Sequence, residues 1–500
     1  MGIIKKQTVQ STILLYAGTL LGFVTTGVLA PHLLSPSEIG TLKLLMSYSG
    51  ILAGIGILGF STVTIRFLPE FQKKSINNRF GFLSISMIAG AVGFFVTWLI
   101  ITIIKSDVIA NNYEKSPEFA EYFFLIIPLT LFQIYYNLFD FYNSALYRSA
   151  YGVFLRDFIH RILLLIGLLL VMLHYFDFRI YIYYYTTAIC FPTILMIFHL
   201  IWYKGFDLTI NRPLLNKSLL GSMASVAFFG LINNASHAAI LQIDSIMVNL
   251  YLDSNAVGIY TITFYFGSLV IIPAKAFNRI SPTVISNAFT DNDLTKIKDI
   301  HEKGCRFLFL TGLVTVLGLF VNLENIFYLI PRSYETGKMV IVYIALANLV
   351  KMADGSNDSI ITFSKYYKLT TVFLLLLVVL IVVFNLILIP RYGMNGAAIA
   401  ALISVIIHNI TKTIFIWRKF DFFPYNIQYY LAFALTALIY AIVAIIPPFS
   451  NFILEIAKDS LLAGFLFLSV IWRIPMAFEI KKVILETQQA FMKYFEKKSK

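Results

Sequence analysis

The feature that most constrains this chain is a register of about fourteen apolar segments, each roughly 20 to 28 residues long, running from Thr8 to Trp472 with short loops between them. A helix needs about 20 apolar residues to cross a hydrocarbon core near 30 Å thick. Within lipid its backbone groups must satisfy one another, so these segments read as membrane-spanning helices. The pattern predicts spans at 8–33, 39–65, 80–104, 122–146, 153–173 and 180–202, then 219–250, 257–280, 307–327, 340–363, 370–389 and 393–417, and finally 427–446 and 452–471. With 59% hydrophobic and 13% charged residues, no polar stretch is long enough for a separate soluble domain, so function must reside in the helix bundle. The expected fold is an all-α polytopic membrane protein: two six-helix lobes related by a pseudo-twofold along the membrane normal, plus a C-terminal pair. The boundaries follow as an N-lobe at 1–210, a C-lobe at 211–420, an additional pair at 421–478 and an amphipathic cytoplasmic tail at 479–500.

Short loops that stay cytoplasmic carry an excess of Lys and Arg. With the N-terminus inside, most of the basic residues fall on the inner side, from Lys5 and Lys6 through Arg66, Lys73, Lys74, Arg79 and Lys204 to the C-terminal lysines. The outer side holds Lys105, Lys115, Arg179, Arg332, Lys338, Arg391 and Lys458. Both termini are therefore expected in the cytoplasm. The net charge of +13 is a topogenic signal directed at anionic lipid and does not call for nucleic acid. The first apolar segment is too long for a signal-peptide core and is read as a retained helix.

Cys190 falls inside the sixth span and Cys305 in an expected cytoplasmic loop, too far apart for a structural disulfide. HExxH, CxxC, GxxxxGK[ST] and GxSxG motifs do not occur in the sequence, which removes zinc, P-loop and serine-hydrolase chemistry at the level of motif. The chain is read as a non-enzyme without metal or resident cofactor, with H⁺ or Na⁺ as the coupling ion.

An internal repeat carries the architecture. Residues 34–40 (LSPSEIG) match residues 252–258 (LDSNAVG), each a polar turn followed by Ile or Val and then Gly, in the manner of a helix cap and a close-packing glycine. Between them lies an even number of spans, so the halves share one orientation. The polar linker 204–218, containing Arg212 and Pro213, marks the expected join.

The stretch around Pro31 with the LLSPSEIG turn, the Arg66 to Glu70 run (RFLPE), and the run IPRYGMNGAA from Ile389 to Ala398 resemble the polysaccharide flippases of the multidrug/oligosaccharidyl-lipid/polysaccharide exporter superfamily. O-antigen and capsule-repeat flippases are the branch most alike, and the resemblance extends over essentially the whole chain. It implies a fourteen-helix layout and movement of an undecaprenyl-pyrophosphate-linked oligosaccharide across a bacterial inner membrane by alternating access. The partners implied are membrane lipids and glycan polymerases or glycosyltransferases of the same pathway, with the chain itself a monomer.

Ionisable groups at membrane depth are costly and usually face a bundle interior. On the tenth span, Lys351, Asp354 and Asp358 share one face and are candidate ion-coupling residues, the bland alternative being a local Lys351–Asp354 pair; Gly355 and Asn357 suggest a loosened or closely packed turn there. On the seventh, Asn233, His237 and Asp244 form a polar stripe. Asp244 is the sharper coupling candidate, because an isolated acid away from water is costly to keep ionised. An anionic pyrophosphate calls for cations, and Lys43, Arg66, Lys275 and Arg279, with Asn233, are the candidate substrate-binding residues. Snorkelling to lipid headgroups is the competing explanation for Arg66 and Arg279, and outward reach toward Glu38 that for Lys43. Arg156 to Arg161 and the His408/Lys412 pair read as topology anchors, with Asp157 and Arg161 as an i, i+4 pair. The aromatic run 181–185 reads as interfacial belt, and 291–302 as an amphipathic helix lying on the membrane. The alternative function is ion-coupled export of small soluble compounds by a multidrug (MATE-like) exporter. A polymerase or ligase is disfavoured, because the longest expected outer loop, 106–121, is too short for its site.

Overall fold

The computed structural model describes residues 17–73, 81–146, 148–203, 217–471 and 473, and among them the chain is all-helical. In order the helices are α1 (Ala17–Leu33), α2 (Pro36–Gly56), α3 (Phe60–Lys73), α4 (Phe82–Asn112), α5 (Pro117–Ala145), α6 (149–172), α7 (Phe178–Trp202), α8 (Lys217–Tyr251), α9 (Ser254–Thr290), α10 (Leu294–Val321), α11 (Leu323–Leu329), α12 (Arg332–Ala353), α13 (Asn357–Phe363), α14 (Leu369–Tyr392), α15 (Met394–Phe420), α16 (Ile427–Ile445) and α17 (Phe452–Ile471). Eleven of the described helices are long and apolar enough to cross a membrane. Each expected span falls on one of the helices or on a broken pair, and α1, α6 and α17 stand outside the eleven. The linker at 204–216, the tail 479–500, the first residues of span 8–33 and Lys5, Lys6, Lys74, Arg79, Lys204 and Arg212 lie outside the described residues.

Three loop expectations are corrected. The stretch 106–121 is mostly helix, since α4 continues to Asn112 and α5 begins at Pro117. Residues 294–302 form the first turns of α10, and no separate surface helix precedes that span. Cys305 is consequently a fully buried helix residue, packed in an apolar cluster with Leu308, Leu349 and Met352.

The chain divides into two compact units, Met1–Ile262 with Leu374–Ala397, and Thr263–Phe373 with Ala398–Lys500. In the first, α8 packs along α2 and α3, and α5 lies against α2, α3, α4 and α7. Val63, Leu68, Phe71, Phe82, Phe139 and Met196 fill one end of it. In the second, α10 is the central element, packed on α12, α16 and α17. The C-terminal pair is joined to it through Tyr429, Ala432, Ile439 and Phe467.

The matched turns of the repeat meet inside the first unit. Ser35 caps α2 in a reciprocal box with Glu38, each bonding the other's backbone N–H, and this box is where Glu38 is engaged. Ser37 Oγ lies 2.8 Å from Ser254 Oγ. A Cβ added at Gly40 would stand 1.8 Å from the Ser254 carbonyl oxygen, and one added at Gly258 would stand 1.8 Å from that of Pro36. The offset that carries Gly40 onto Gly258 also carries Pro36 onto Ser254, so the two contacts are one contact seen from each copy. Only glycine permits this approach of backbone to backbone.

Candidate ion and substrate sites

Among the described residues, the ionisable candidates gather in two clusters within the helices, one in each unit. The first lies on α2, α8, α9 and α14. Lys43 Nζ donates to Gln242 Oε1 at 2.7 Å, and Ser47 Oγ donates to the same oxygen at 3.0 Å. Two residues farther along α8, the Asp244 carboxylate accepts from Asn385 Nδ2 at 2.7 Å and from Tyr260 OH at 3.2 Å. Asn385 and Tyr260 are buried, while Lys43 and Asp244 are half-buried and within electrostatic reach of each other. Lys43 thus turns inward to α8, and the outward reach toward Glu38 is not the conformation seen.

The chemistry of this cluster follows from its contacts. The Asp244 carboxylate holds two neutral donors and, among the described residues, has no cation in hydrogen-bond contact, Lys43 being bonded to Gln242 instead. Two carboxylate oxygens offer about four acceptor sites, of which these donors take two. The cluster is therefore able to take up a further proton or small cation. Lys43, whose three donors are met here by one amide oxygen, also has capacity to spare for an anionic group.

The second cluster lies on α12, α13 and α15, where the tenth span is broken. Gly355 adopts φ +58°, and a Cβ there would meet Cys305 Sγ at 2.4 Å, so the turn is both loosened and closely packed. The break separates Lys351, at the end of α12, from Asp354 and Asp358 beyond it. The cation that meets both carboxylates is Lys412 of α15: its Nζ donates to Asp354 Oδ2 and, at 3.0 Å, to Asp358 Oδ1. Lys412 is 2% exposed and Asp354 4%, whereas the Asp358 side chain is 73% exposed. Asn357 Nδ2 donates to Asp354 and to Thr413 Oγ1, and Asn409 and Tyr425 bind the carbonyls of Val350 and Ala353 that the break would otherwise leave open. Reading Lys412 as a topology anchor is thus corrected, and the local pair expected between Lys351 and Asp354 is replaced by this one. Lys351 itself is exposed, with Lys275 of α9 within electrostatic reach.

The remaining candidates stand apart from these clusters. Arg66 is exposed on α3, its guanidinium 5.6 Å from the Phe67 ring. Lys275 is exposed and Arg279 half-buried on the second half of α9. Asn233 is half-buried with its side-chain oxygen lacking a hydrogen-bond partner, and its neighbour Asn234 makes the contact to α3, bonding Ser61. His237 is exposed. The expected Asp157–Arg161 pair is exchanged for other partners: Arg161 donates to the Gly18 carbonyl and Asp157 lies 3.7 Å from Arg156.

Gln242, Tyr260, Asn385 and Lys412 were not among the residues singled out as sites from sequence. Asn385 had a signal, since it is a lone amide in the uniformly apolar run 373–389, and polar residues in such runs face protein rather than lipid. Lys412 had the same signal at a comparable depth in its span.

The chain is similar in part of its sequence, and in its fold, to known membrane proteins. A family model described as MatE matches residues 231–391, less than half of the chain. The probable flippase AglR of Haloferax volcanii is 24% identical over 217 residues, a stretch covering 41% of this chain and 44% of that relative. The match therefore spans less than half the length of the curated relative. The fold is that of the lipid II flippase MurJ in its inward closed conformation, with TM-score 0.72, 14% identity, and coverage of 95% of this chain and 99% of MurJ. An inward-facing MATE family multidrug transporter of the MOP superfamily is also similar, with TM-score 0.59, 13% identity, and coverage of 81% and 94%.

Proposed function

We propose that this protein is a flippase that carries an undecaprenyl-pyrophosphate-linked oligosaccharide, a repeat unit of O-antigen, capsule or exopolysaccharide, across a bacterial inner membrane by ion-coupled alternating access. The observation that carries the reading is the likeness to MurJ over nearly the whole of both chains, against the smaller share of this chain that the MATE structure covers. The name of AglR as a probable flippase supports the same class. Lys43, Arg66, Lys275 and Arg279 supply the cations for the pyrophosphate, with Asn233 as a polar contact, and Asp244 is the coupling carboxylate. Asp354 and Asp358, already bonded to Lys412, serve coupling by exchange of that partner, and Lys351 flanks them.

The second reading, an ion-coupled exporter of small soluble compounds, is favoured by the MatE match over residues 231–391. The two separate on one experiment. The full-length protein is reconstituted in vesicles with a fluorescent polyprenyl-pyrophosphate glycan in the inner leaflet, and its appearance in the outer leaflet is followed by quenching, alongside uptake of ethidium. Glycan flipping that is reduced in Lys43→Ala and Arg66→Ala at equal protein level, without ethidium transport, supports the flippase. Ethidium transport without flipping replaces it by the exporter.

A further inference from the structure

At one end of the second unit, the turn between α16 and α17 and the segment joining α10 to α12 enclose a cavity of about 540 Å³, a size typical of small-molecule sites. The distribution of Lys and Arg assigns this end to the outside of the membrane. Tyr328 and Phe452 form a stacked pair in its wall, with ring centroids 6.2 Å apart and an interplanar angle of 22°. Three carboxylates also line it, Glu324, Glu455 and Asp459. Glu455 and Asp459 are more than nine-tenths buried.

The acids of α17 are bonded to each other and to one shared cation. Lys458 is the cation they share: its Nζ lies 2.7 Å from Glu455 Oε1 and 3.4 Å from Asp459 Oδ1, and it donates at 3.1 Å to the Pro447 carbonyl. Its three protons are thereby used. The other oxygen of Glu455 accepts from the Phe449 N–H at 2.6 Å. Two carboxylates offer about eight acceptor sites, and these contacts together with the Glu455–Asp459 hydrogen bond leave several of them for further donors. Glu324 is paired with Lys338. Two ammoniums are set against three carboxylates, so the wall is acidic by one charge and rich in acceptors, and both ammoniums are already bonded to it. It asks for a ligand rich in hydrogen-bond donors, with an apolar face for the ring pair.

We infer that this cavity is a saccharide-binding site at the outer end of the second unit, in which carboxylate acceptors on α17 take sugar hydroxyls while Tyr328 and Phe452 pack against the C–H face of a pyranose. The ligand class draws on the glycan-carrier reading above, with the site receiving the sugar portion of the cargo as it leaves. A pyranose presents hydroxyl donors around its rim and C–H bonds on its faces, which is the complement of this wall. An ammonium compound is the rival occupant, and the pairing of Glu324 with Lys338 and of Glu455 and Asp459 with Lys458 disfavours it.

Saturation-transfer difference NMR on the full-length protein in lipid nanodiscs tests the site, with the methyl glycosides of glucose, galactose and N-acetylglucosamine, and with tetramethylammonium. Transfer to the ring protons of at least one glycoside is expected, weakened about tenfold in Asp459→Asn and in Tyr328→Leu, as loss of a hydrogen bond to a charged acceptor or of a stacking face implies. Two variants from different walls, each checked for an unchanged melting temperature, guard against a folding defect in one. Absence of transfer to all three glycosides, transfer untouched in both variants, or transfer confined to tetramethylammonium overturns the assignment. Glycan flipping is scored separately: sugar binding without flipping sinks the flippase and leaves the site, and flipping without sugar binding does the reverse.

Discussion

The two buried clusters use the same residue types and solve opposite problems. In the second unit Lys412 is bonded directly to Asp354 and Asp358, so each carboxylate has a cation in contact. In the first, Lys43 is bonded to Gln242 rather than to Asp244, and the carboxylate is held by the neutral donors of Asn385 and Tyr260. A buried charge with a tethered partner is costly to disturb, whereas one held by neutral donors is ready to exchange a proton or ion. The first cluster thus keeps acceptor capacity on its carboxylate, and the second ties the two sides of a broken helix to α15.

Substitution of Lys412 tests that contrast most severely. Lys412→Met leaves Asp354 buried and unpaired, and a loss of about 3–5 kcal/mol is expected in thermal unfolding of the detergent-solubilised protein. Adding Asp354→Leu restores most of it, because two apolar groups replace the pair. A wild-type melting curve for Lys412→Met alone would break the comparison at its stronger side.

Asp244→Asn keeps the shape of the side chain and removes its charge. Transport is expected to fall about tenfold or more, with a stability change within about 1 kcal/mol, since an amide still accepts from one of the two donors. Initial flipping rates set beside melting temperatures check this, and equal losses in both would make Asp244 structural. A smaller effect follows at Lys43: Lys43→Met costs about 1 kcal/mol as Gln242 loses its charged donor, and Lys43→Gln, which can still donate to that amide, costs less. The smallest effect belongs to Asp358, whose exposed carboxylate shares Lys412. Asp358→Asn is expected to cost about 0.5 kcal/mol, and a loss as large as that of Lys412→Met would mean that Asp358 rather than Asp354 is the main partner.

The helical plan was legible because apolar run length is a local property, and the hydrocarbon thickness fixes its value. The paired turns were legible for a related reason, as a cap and a glycine each leave a residue-level mark. Loop ends were read less well. Helix α4 runs through Asp107 to Asn112 although the apolar run ends at Ile104, because a helix leaving the hydrocarbon has no reason to stop with its apolar residues. The clusters were legible by half. Asp244, Lys43, Asp354 and Asp358 stood out as charges in apolar spans, but the partners that define their chemistry lie far along the chain. Lys412 is 58 residues from Asp354, and Asn385 is 141 from Asp244. The turn at Gly355 also breaks the helical face on which Lys351 had been placed beside Asp354. A periodicity argument holds only while the helix does.

The reciprocal contact of the two turns has a bearing on how such a chain can change over time. Each glycine is confined by the backbone of the other copy, so a side chain gained at Gly40 is felt at Ser254, and one gained at Gly258 is felt at Pro36. After a duplication the two copies are usually free to drift apart. At this point the two turns share one constraint: a side chain at Gly40 or at Gly258 would displace the backbone of the other turn, so neither glycine can be replaced without cost to both.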